Sequence, residues 1–142
     1  MPTLSRQFLP KNLTVGLCED VKCLIEVEVK VEGDRCEPRP ADAGNNRVYV
    51  YSAEPKPPRK KVQIVWMLKP GTSDYAFKSG DGVFFKNDAT EFESGKRLND
   101  MEYQWVDKMT KKGRDFNYKI QVTHLPSNKK CIYDPAIVND WP

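Results

Sequence analysis

The residue pair with the most distinctive chemistry in this sequence is Asp134-Pro135, close to the end of the 142-residue chain. The bond that joins the two residues is a tertiary amide, which prefers the trans form less strongly than other peptide bonds do. The aspartate carboxyl can attack its own main-chain carbonyl and expel the proline nitrogen through a cyclic anhydride. Asp-Pro is therefore the most acid-labile bond in ordinary polypeptides. Both residues also favour turns, so a turn or a strand end is the simpler interpretation.

A lysine is predicted to lie beside this bond. Segments 116–124 and 130–133 flank a turn at 126–128, which predicts an antiparallel hairpin. With the turn centred between its first two residues, Lys119 faces Asp134, and their β-carbons lie about 5 Å apart. The same register keeps four core residues on one face, namely Ile120, Val122, Cys131 and Tyr133. The lysine then forms either an exposed salt bridge, worth less than about 1 kcal/mol, or a nucleophile, which needs a desolvated amine of lowered pKa.

Other residues that could do chemistry are sparse. The four cysteines show no paired C-x-x-C spacing, and a zinc site would have to combine His124 with ligands from opposite ends of the chain. We therefore expect no metal, no cofactor, and free thiols in a reducing compartment at Cys18, Cys23, Cys36 and Cys131. One histidine and no G-x-S-x-G motif argue against a catalytic triad. The Gly80-Asp81-Gly82 run is best explained as a hairpin turn.

The charge balance sets limits on partners. The chain has 23 basic and 20 acidic residues, a net charge of +3 spread along its length. Nucleic-acid binding usually needs a more concentrated basic face, so it is disfavoured. Single-stranded nucleic acid is a weaker option, through Arg59, Lys60, Lys61, Lys111, Lys112 and nearby aromatics. No apolar stretch is long enough to cross a bilayer, and the N-terminus has no signal-peptide core. A cytoplasmic protein with no membrane partner is the default, with leaderless export left open.

Strand patterns dominate the chain. From Ile25 to Val31, apolar residues alternate with charged ones, which predicts a strand with one buried face. Further strands are predicted at 47–52, 102–106, 116–124 and 130–133, and the apolar run at 62–68 predicts a central strand buried on both faces. No segment makes a convincing helix. About seven to nine short strands favour an all-β fold, and within it an immunoglobulin-like antiparallel β-sandwich over a barrel, although both arrangements fit the strand pattern.

The remaining segments are predicted to be turns and connections. Residues 75–85 indicate a short hairpin around the Gly80-Asp81-Gly82 turn. Pro38 and Pro40 are expected to open a loop, and residues 91–95 also have the composition of a loop.

The length predicts one domain over residues 1–142. Within it we distinguish an N-terminal arm at 1–20, a proline- and lysine-rich connector at 53–61, and a C-terminal segment at 135–142.

Several motifs together resemble a known family. They are W-M-L, Y-x-F, G-D-G-V-F-F, Y-x-W-x-D, F-x-Y-K-I-x-V and the terminal D-P-A-I-V-N-D. In these motifs the chain resembles the bacterial DP-EP family over roughly Cys23 to Trp141. Its members are small β-sandwich proteins described as self-cleaving, self-assembling endopeptidases. The longer N-terminal arm and the insert at 54–61 depart from the family pattern, and put a shared assembly surface in doubt.

The resemblance implies specific roles. The chain would be cleaved between Asp134 and Pro135, and segment 135–142 would remain as a strand held by the sandwich. Lys119 would become covalently joined to Asp134. An aspartate would help to activate a water; this is Asp107 in the motif Y-x-W-x-D, or Asp134 itself.

Two functions follow as hypotheses. The first is a single-turnover, autocatalytic endopeptidase with its own C-terminal segment as substrate, and a homo-oligomer is the partner that the family implies. The second is a non-catalytic binding or structural module, with exposed aromatic residues and the basic connector as its contact surface.

Overall fold

The computed structural model describes residues 17–19, 21–41, 46–69, 74–78, 82–86 and 89–142. The described residues contain no α-helix, only a 3-10 turn at Ala89–Glu91, and so no helix long and apolar enough to span a membrane. The strands are β1 (Leu17–Glu19), β2 (Lys22–Glu32), β3 (Arg35–Pro40), β4 (Arg47–Tyr51), β5 (Val62–Leu68), β6 (Tyr75–Ala76), β7 (Val83–Phe85), β8 (Phe92–Asn99), β9 (Glu102–Asp107), β10 (Asp115–His124), β11 (Lys129–Tyr133) and β12 (Ala136–Asp140).

The strands form two sheets, which confirms the all-β sandwich. In one sheet β1, β4 and β12 lie side by side, β12 and β11 pair with one side of β10, and β6 and β7 pair with its other side. The other sheet has the order β3-β2-β5-β9-β8. Both sheets are mixed, because β1–β4, β4–β12 and β2–β5 are parallel pairs. A purely antiparallel arrangement is therefore wrong. Parallel neighbours need a long crossover, and the 29 residues between β2 and β5 provide one. The immunoglobulin-like arrangement stays a prediction.

The core lies between the two sheets. Strand β2 contributes Cys23, Ile25 and Val27 to it, as the alternating pattern predicts. The central contact joins Trp66 of β5 and Tyr118 of β10, which are both fully buried; the indole Nε1 donates a hydrogen bond to the tyrosine hydroxyl at 3.2 Å. The position of β5 in the middle of its sheet explains its nearly continuous apolar run.

All four cysteines form disulfides, so the expectation of free thiols is wrong. Cys18 is joined to Cys23, and Cys36 is joined to Cys131. Their Cα atoms lie 5.2 and 5.1 Å apart, within the range that a disulfide spans. Each bond links one sheet to the other, β1 to β2 and β3 to β11. Sequence spacing could not reveal these pairs, because sheet packing brings the partners together. Such bonds are typical of oxidising compartments, so the cysteines do not support a cytoplasmic location.

The predicted hairpin at 75–85 is wrong. Strands β6 and β7 both pair antiparallel with β10, with Tyr75 opposite His124 and Val83 opposite Ile120. The two short strands therefore run in the same direction, one after the other along one edge of β10. Strand β10 is ten residues long and can accommodate both. Gly80 and Asp81 of the predicted turn lie outside the described residues, as do residues 1–16 and 20 of the N-terminal arm.

Two segments predicted as loops are edge strands. Pro38 and Pro40 lie in β3, opposite Val29 and Val27 of β2. An edge strand tolerates proline because one of its sides has no strand partner. Residues 92–95 begin β8 at the other edge of the same sheet, where register shifts interrupt the apolar alternation. These strands, together with the short β1, raise the number of described strands above the seven to nine expected.

Candidate functional site

The Asp134–Pro135 bond lies between β11 and β12, which both pair with the same side of β10. Strand β11 places Tyr133 opposite Ile120, and β12 places Ala136 opposite Asn117. The two ladders share one register, so the chain crosses from β11 to β12 without a slip. Lys119 therefore lies opposite Asp134. The pairing of Val122 with Cys131 confirms the predicted hairpin register on which this position depends.

Proline explains why the ladder is interrupted here. Tyr118 lies opposite Pro135, and its backbone N–H donates to the Pro135 carbonyl at 3.1 Å. Pro135 has no N–H with which to return the hydrogen bond. Strand β12 is an interior strand, between β4 and β10, and prolines within sheets are usually confined to edges, strand starts or bulges. Pro135 accordingly directly precedes the strand, buried and held by one backbone hydrogen bond.

Two lysines flank Asp134 on the outer face of the sheet. Lys86 Nζ lies 3.3 Å from Asp134 Oδ2, and the Asp134 side chain is 55% exposed. Lys119 Nζ lies 5.9 Å from the centre of the Phe84 ring, and within the described residues it forms no ion pair with Asp134. The carboxylate thus has one direct cationic partner and a second amine on the facing residue.

Lys86 was missed by sequence reasoning. It follows β7, and its N–H donates to the Asn117 carbonyl at 3.0 Å, which extends the β7–β10 ladder by one residue. Strands β7 and β12 pair with opposite sides of β10, so the Lys86 side chain reaches Asp134 across the face of β10. A pattern that predicts a 75–85 hairpin gives no signal for this position.

Asp107 lies in a different part of the molecule. It is fully buried on β9, in the other sheet, and its Oδ1 accepts a hydrogen bond from Asn139 Nδ2 at 2.9 Å. Asn139 lies five residues beyond Asp134, about 16 Å along an extended chain at ~3.3 Å per residue. The structure therefore brings Lys119, Asp134 and Pro135 together and places Asp107 apart from them.

Asp107 belongs to a buried polar cluster with Glu91 and Asn139. Asp107, Glu91 and Asn139 are 0%, 1% and 0% exposed, respectively. Glu91 Oε2 accepts from Asn139 Nδ2 at 3.0 Å and from the Thr110 and Lys111 backbone N–H groups at 2.8 and 2.6 Å. The Thr110 hydroxyl donates to Glu91 Oε1. Segments from three parts of the chain thus meet around one amide side chain.

Burial raises the pKa of Asp107 from 3.8 to about 7. Hydrogen bonds from the Met109 N–H and from Asn139 act in the opposite direction, and the charge of Glu91 adds to the rise. Neither Glu91 nor Asn139 was expected from the sequence. The one available signal was a polar asparagine within the apolar run A-I-V-N.

The structure also shows the surroundings of the residues considered for a zinc site and for the basic connector. The disulfides occupy the thiolates that a zinc site would use, and the His124 ring packs beside Tyr75 with its Nδ1 2.6 Å from Ser127 Oγ. Among the described residues no group of three His, Cys, Asp or Glu side chains could hold a metal ion. Of the basic connector, Arg59 stacks on Trp141 at 3.7 Å and Lys61 pairs with Glu93 at 2.7 Å.

No family model and no curated protein matches the chain.

Proposed function

We propose that the chain cleaves its own peptide bond between Asp134 and Pro135. The observation that carries the proposal is the shared register of β11 and β12, which holds the bond against β10 with Lys119 opposite Asp134. A single intramolecular reaction needs no substrate pocket, since the substrate is already in place. A well-aligned neighbouring group can supply several kcal/mol of the activation barrier.

The first step uses only Asp134 and Pro135. One carboxyl oxygen of Asp134 attacks the main-chain carbonyl carbon of the same residue and forms a five-membered anhydride. The bond to the Pro135 nitrogen breaks, and the carboxyl proton passes to that nitrogen, which leaves as a secondary amine. The step conserves all atoms and needs no external reagent.

The anhydride can then react in two ways. A water molecule opens it to two carboxyl groups, which gives simple hydrolysis. Alternatively the Lys119 amine attacks an anhydride carbonyl and forms an amide, releasing the other carboxyl. The second product is one water lighter than the first. The position of Asp134 on the outer face, and of Asp107 in the core, favours Asp134 itself as the assisting carboxyl.

Lys86 has a separate role in this proposal. Its ammonium group lies 3.3 Å from Asp134 Oδ2 and holds the carboxyl in an ion pair on the outer face. The carboxyl must leave this pair before one of its oxygens can attack the main-chain carbonyl, so the ion pair restrains the reaction. Lys86 and Lys119 should therefore act in opposite directions, one slowing cleavage and the other capturing its product. The resemblance of the sequence motifs to the DP-EP family points to the same bond and the same lysine.

The test is intact-protein mass spectrometry under denaturing, non-acidic conditions, because acid alone breaks Asp-Pro bonds. After incubation of the native protein near pH 7, we expect a Pro135–Pro142 peptide and its complementary large fragment. A large fragment one water lighter than the hydrolysis product identifies the Lys119–Asp134 link. Native chromatography would miss the cut, since β12 remains paired with β4 and β10.

Matched variants separate the roles. Asp134→Ala should abolish cleavage, whereas Asp140→Ala, which removes a carboxyl from the same C-terminal segment, should cleave like the wild type. Lys119→Ala should lose only the lighter fragment, and Lys86→Ala should cleave faster. A single intact mass for the wild type after long incubation would refute the proposal and favour the non-catalytic module.

A further inference from the structure

The Glu91–Asp107–Asn139 cluster contains two buried oxygens that lack partners. Asp107 Oδ2 and Asn139 Oδ1 accept no hydrogen bond from any residue that the structure describes. Both atoms are acceptors when the aspartate is ionised, so they cannot satisfy each other. Buried polar atoms without a partner are rare and costly in folded proteins. The cluster therefore lacks one donor.

A single proton on Asp107 would supply that donor. Asn139 Nδ2 already donates to Asp107 Oδ1 at 2.9 Å, so the carboxyl and amide groups are adjacent. A carboxylic acid and a primary amide can pair through two hydrogen bonds, N–H to one oxygen and O–H to the other. With the proton on Oδ2, both unpaired oxygens would be satisfied by one O–H···O bond.

We propose that Asp107 is a carboxylic acid in the folded protein, that its Oδ2–H donates to Asn139 Oδ1, and that this proton forms a pH-sensitive latch between β12 and the five-stranded sheet. Asp107 belongs to β9 and Asn139 to β12, so the bond joins the two sheets through the core. The latch does not depend on cleavage of the Asp134–Pro135 bond.

The surroundings of Asp107 favour the protonated form. The Glu91 carboxyl group accepts a hydrogen bond from the same Asn139 amide, and all of its hydrogen bonds are ones that it accepts. No cation forms an ion pair with Asp107 in the described part of the chain. Basic side chains on the adjoining segments have other contacts: Lys61 with Glu93, Lys111 with Thr90, and Lys112 with Asp140. Lys108 contributes its backbone N–H to the Glu91 carbonyl.

The direction of the pH effect follows from the pKa. Burial raises the pKa of Asp107 from 3.8 in the unfolded reference to about 7. Between these values the folded chain holds a proton that the unfolded chain releases. Stability from this group is therefore fully present below the lower value and is lost as the pH rises towards the upper one. Above about pH 7 the loss is complete, and both states carry the charge.

The primary experiment compares the wild type with Asp107→Asn by chemical denaturation from pH 5 to 8.5. Asparagine presents a donor and an acceptor to Asn139 at every pH, so it imitates the protonated acid. Relative to this variant, the wild-type unfolding constant should rise about tenfold per pH unit between about pH 5 and 6.5 and level off above 7. Parallel curves for the two proteins would overturn the proposal.

A second measurement keeps the test decisive if Asp107→Asn does not fold. Carbon-13 NMR of the side-chain carboxyl groups in the wild-type protein reports each aspartate separately. The Asp107 signal should titrate with a midpoint near pH 7. Asp115 serves as an internal reference, because its hydrogen bond from Arg47 lowers its pKa below the ordinary value. An Asp107 midpoint below pH 5 would show an ionised carboxylate at neutral pH and overturn the latch.

Discussion

The two disulfides should contribute unequally to stability, although each joins one sheet to the other. Cys36 and Cys131 are separated by 95 residues, and Cys18 and Cys23 by only 5. A disulfide stabilises largely by restricting the unfolded chain, and this restriction grows with the logarithm of the loop length. The bond that closes the long loop should therefore matter more.

The size of the difference can be worked out from the loop lengths. The closure-entropy relation gives about 4.7 kcal/mol for the Cys36–Cys131 bond and about 2 kcal/mol for the Cys18–Cys23 bond. The larger value is comparable to the total stability of many domains, about 5–15 kcal/mol. Loss of the long-range bond should leave the protein close to unfolding at 37 °C, while loss of the short one should be tolerated.

The assay is urea denaturation of two double variants, Cys36→Ala/Cys131→Ala and Cys18→Ala/Cys23→Ala. Alanine avoids burying a new hydroxyl, since Cys131, Cys18 and Cys23 are all buried. Both variants lose two sulfur atoms, so the packing terms largely cancel and the difference of about 2.7 kcal/mol reports the loop term. The m-value should also rise more for the long-loop variant, because its unfolded chain expands further.

An equal loss in the two variants would refute this reasoning, and so would a larger loss for Cys18–Cys23. Either result would mean that the folded state, and not the unfolded chain, determines what each bond contributes.

Two further predictions concern contacts made by Trp105 and Trp66. Gly95→Ala should destabilise the folded protein by about 1–3 kcal/mol. A β-carbon at this position would lie 2.3 Å from Trp105, whose Nε1 donates a hydrogen bond to the Val83 carbonyl at 2.7 Å. An unchanged denaturation midpoint would contradict this prediction. Tyr118→Phe should lower the free energy of unfolding by about 1–3 kcal/mol, because it leaves the buried Trp66 indole N–H without its partner. In a double-mutant cycle, Trp66→Phe should then cost less stability in the Tyr118→Phe background than in the wild type. Strict additivity of the two substitutions would argue against the hydrogen bond.

Local patterns in the sequence were enough to predict several strands and one register. The alternation from Ile25 to Val31 and the apolar run at 62–68 each correspond to a described strand, because side-chain period and burial are set locally. The Val122–Cys131 pairing followed from a short turn and the rule that core residues share a face.

The features that were missed depend on contacts between distant segments. Strands β3 and β8 lie at sheet edges, where the apolar period is weak and prolines are tolerated. The buried cluster joins Asn139 to Glu91 and Asp107, which are 48 and 32 residues away. Asn, Glu and Asp are residue types that usually lie at the surface, and only the packing of the two sheets places these three side chains in the core.

The placement of β12 connects the two proposals about the C-terminal segment. The strand pairs with β4 on one side and β10 on the other, and Trp141 beyond it stacks under Arg59. A cut at Asp134–Pro135 would create new ends without releasing the segment, which would then be a bound peptide with its own affinity. The Asp107–Asn139 bond is one of the contacts that hold this peptide. Deprotonation of Asp107 would weaken the hold on the peptide by an amount set by how far the pKa of Asp107 differs between the peptide-bound and peptide-free sandwich, so cleavage would turn a pH-dependent stability into a pH-dependent affinity.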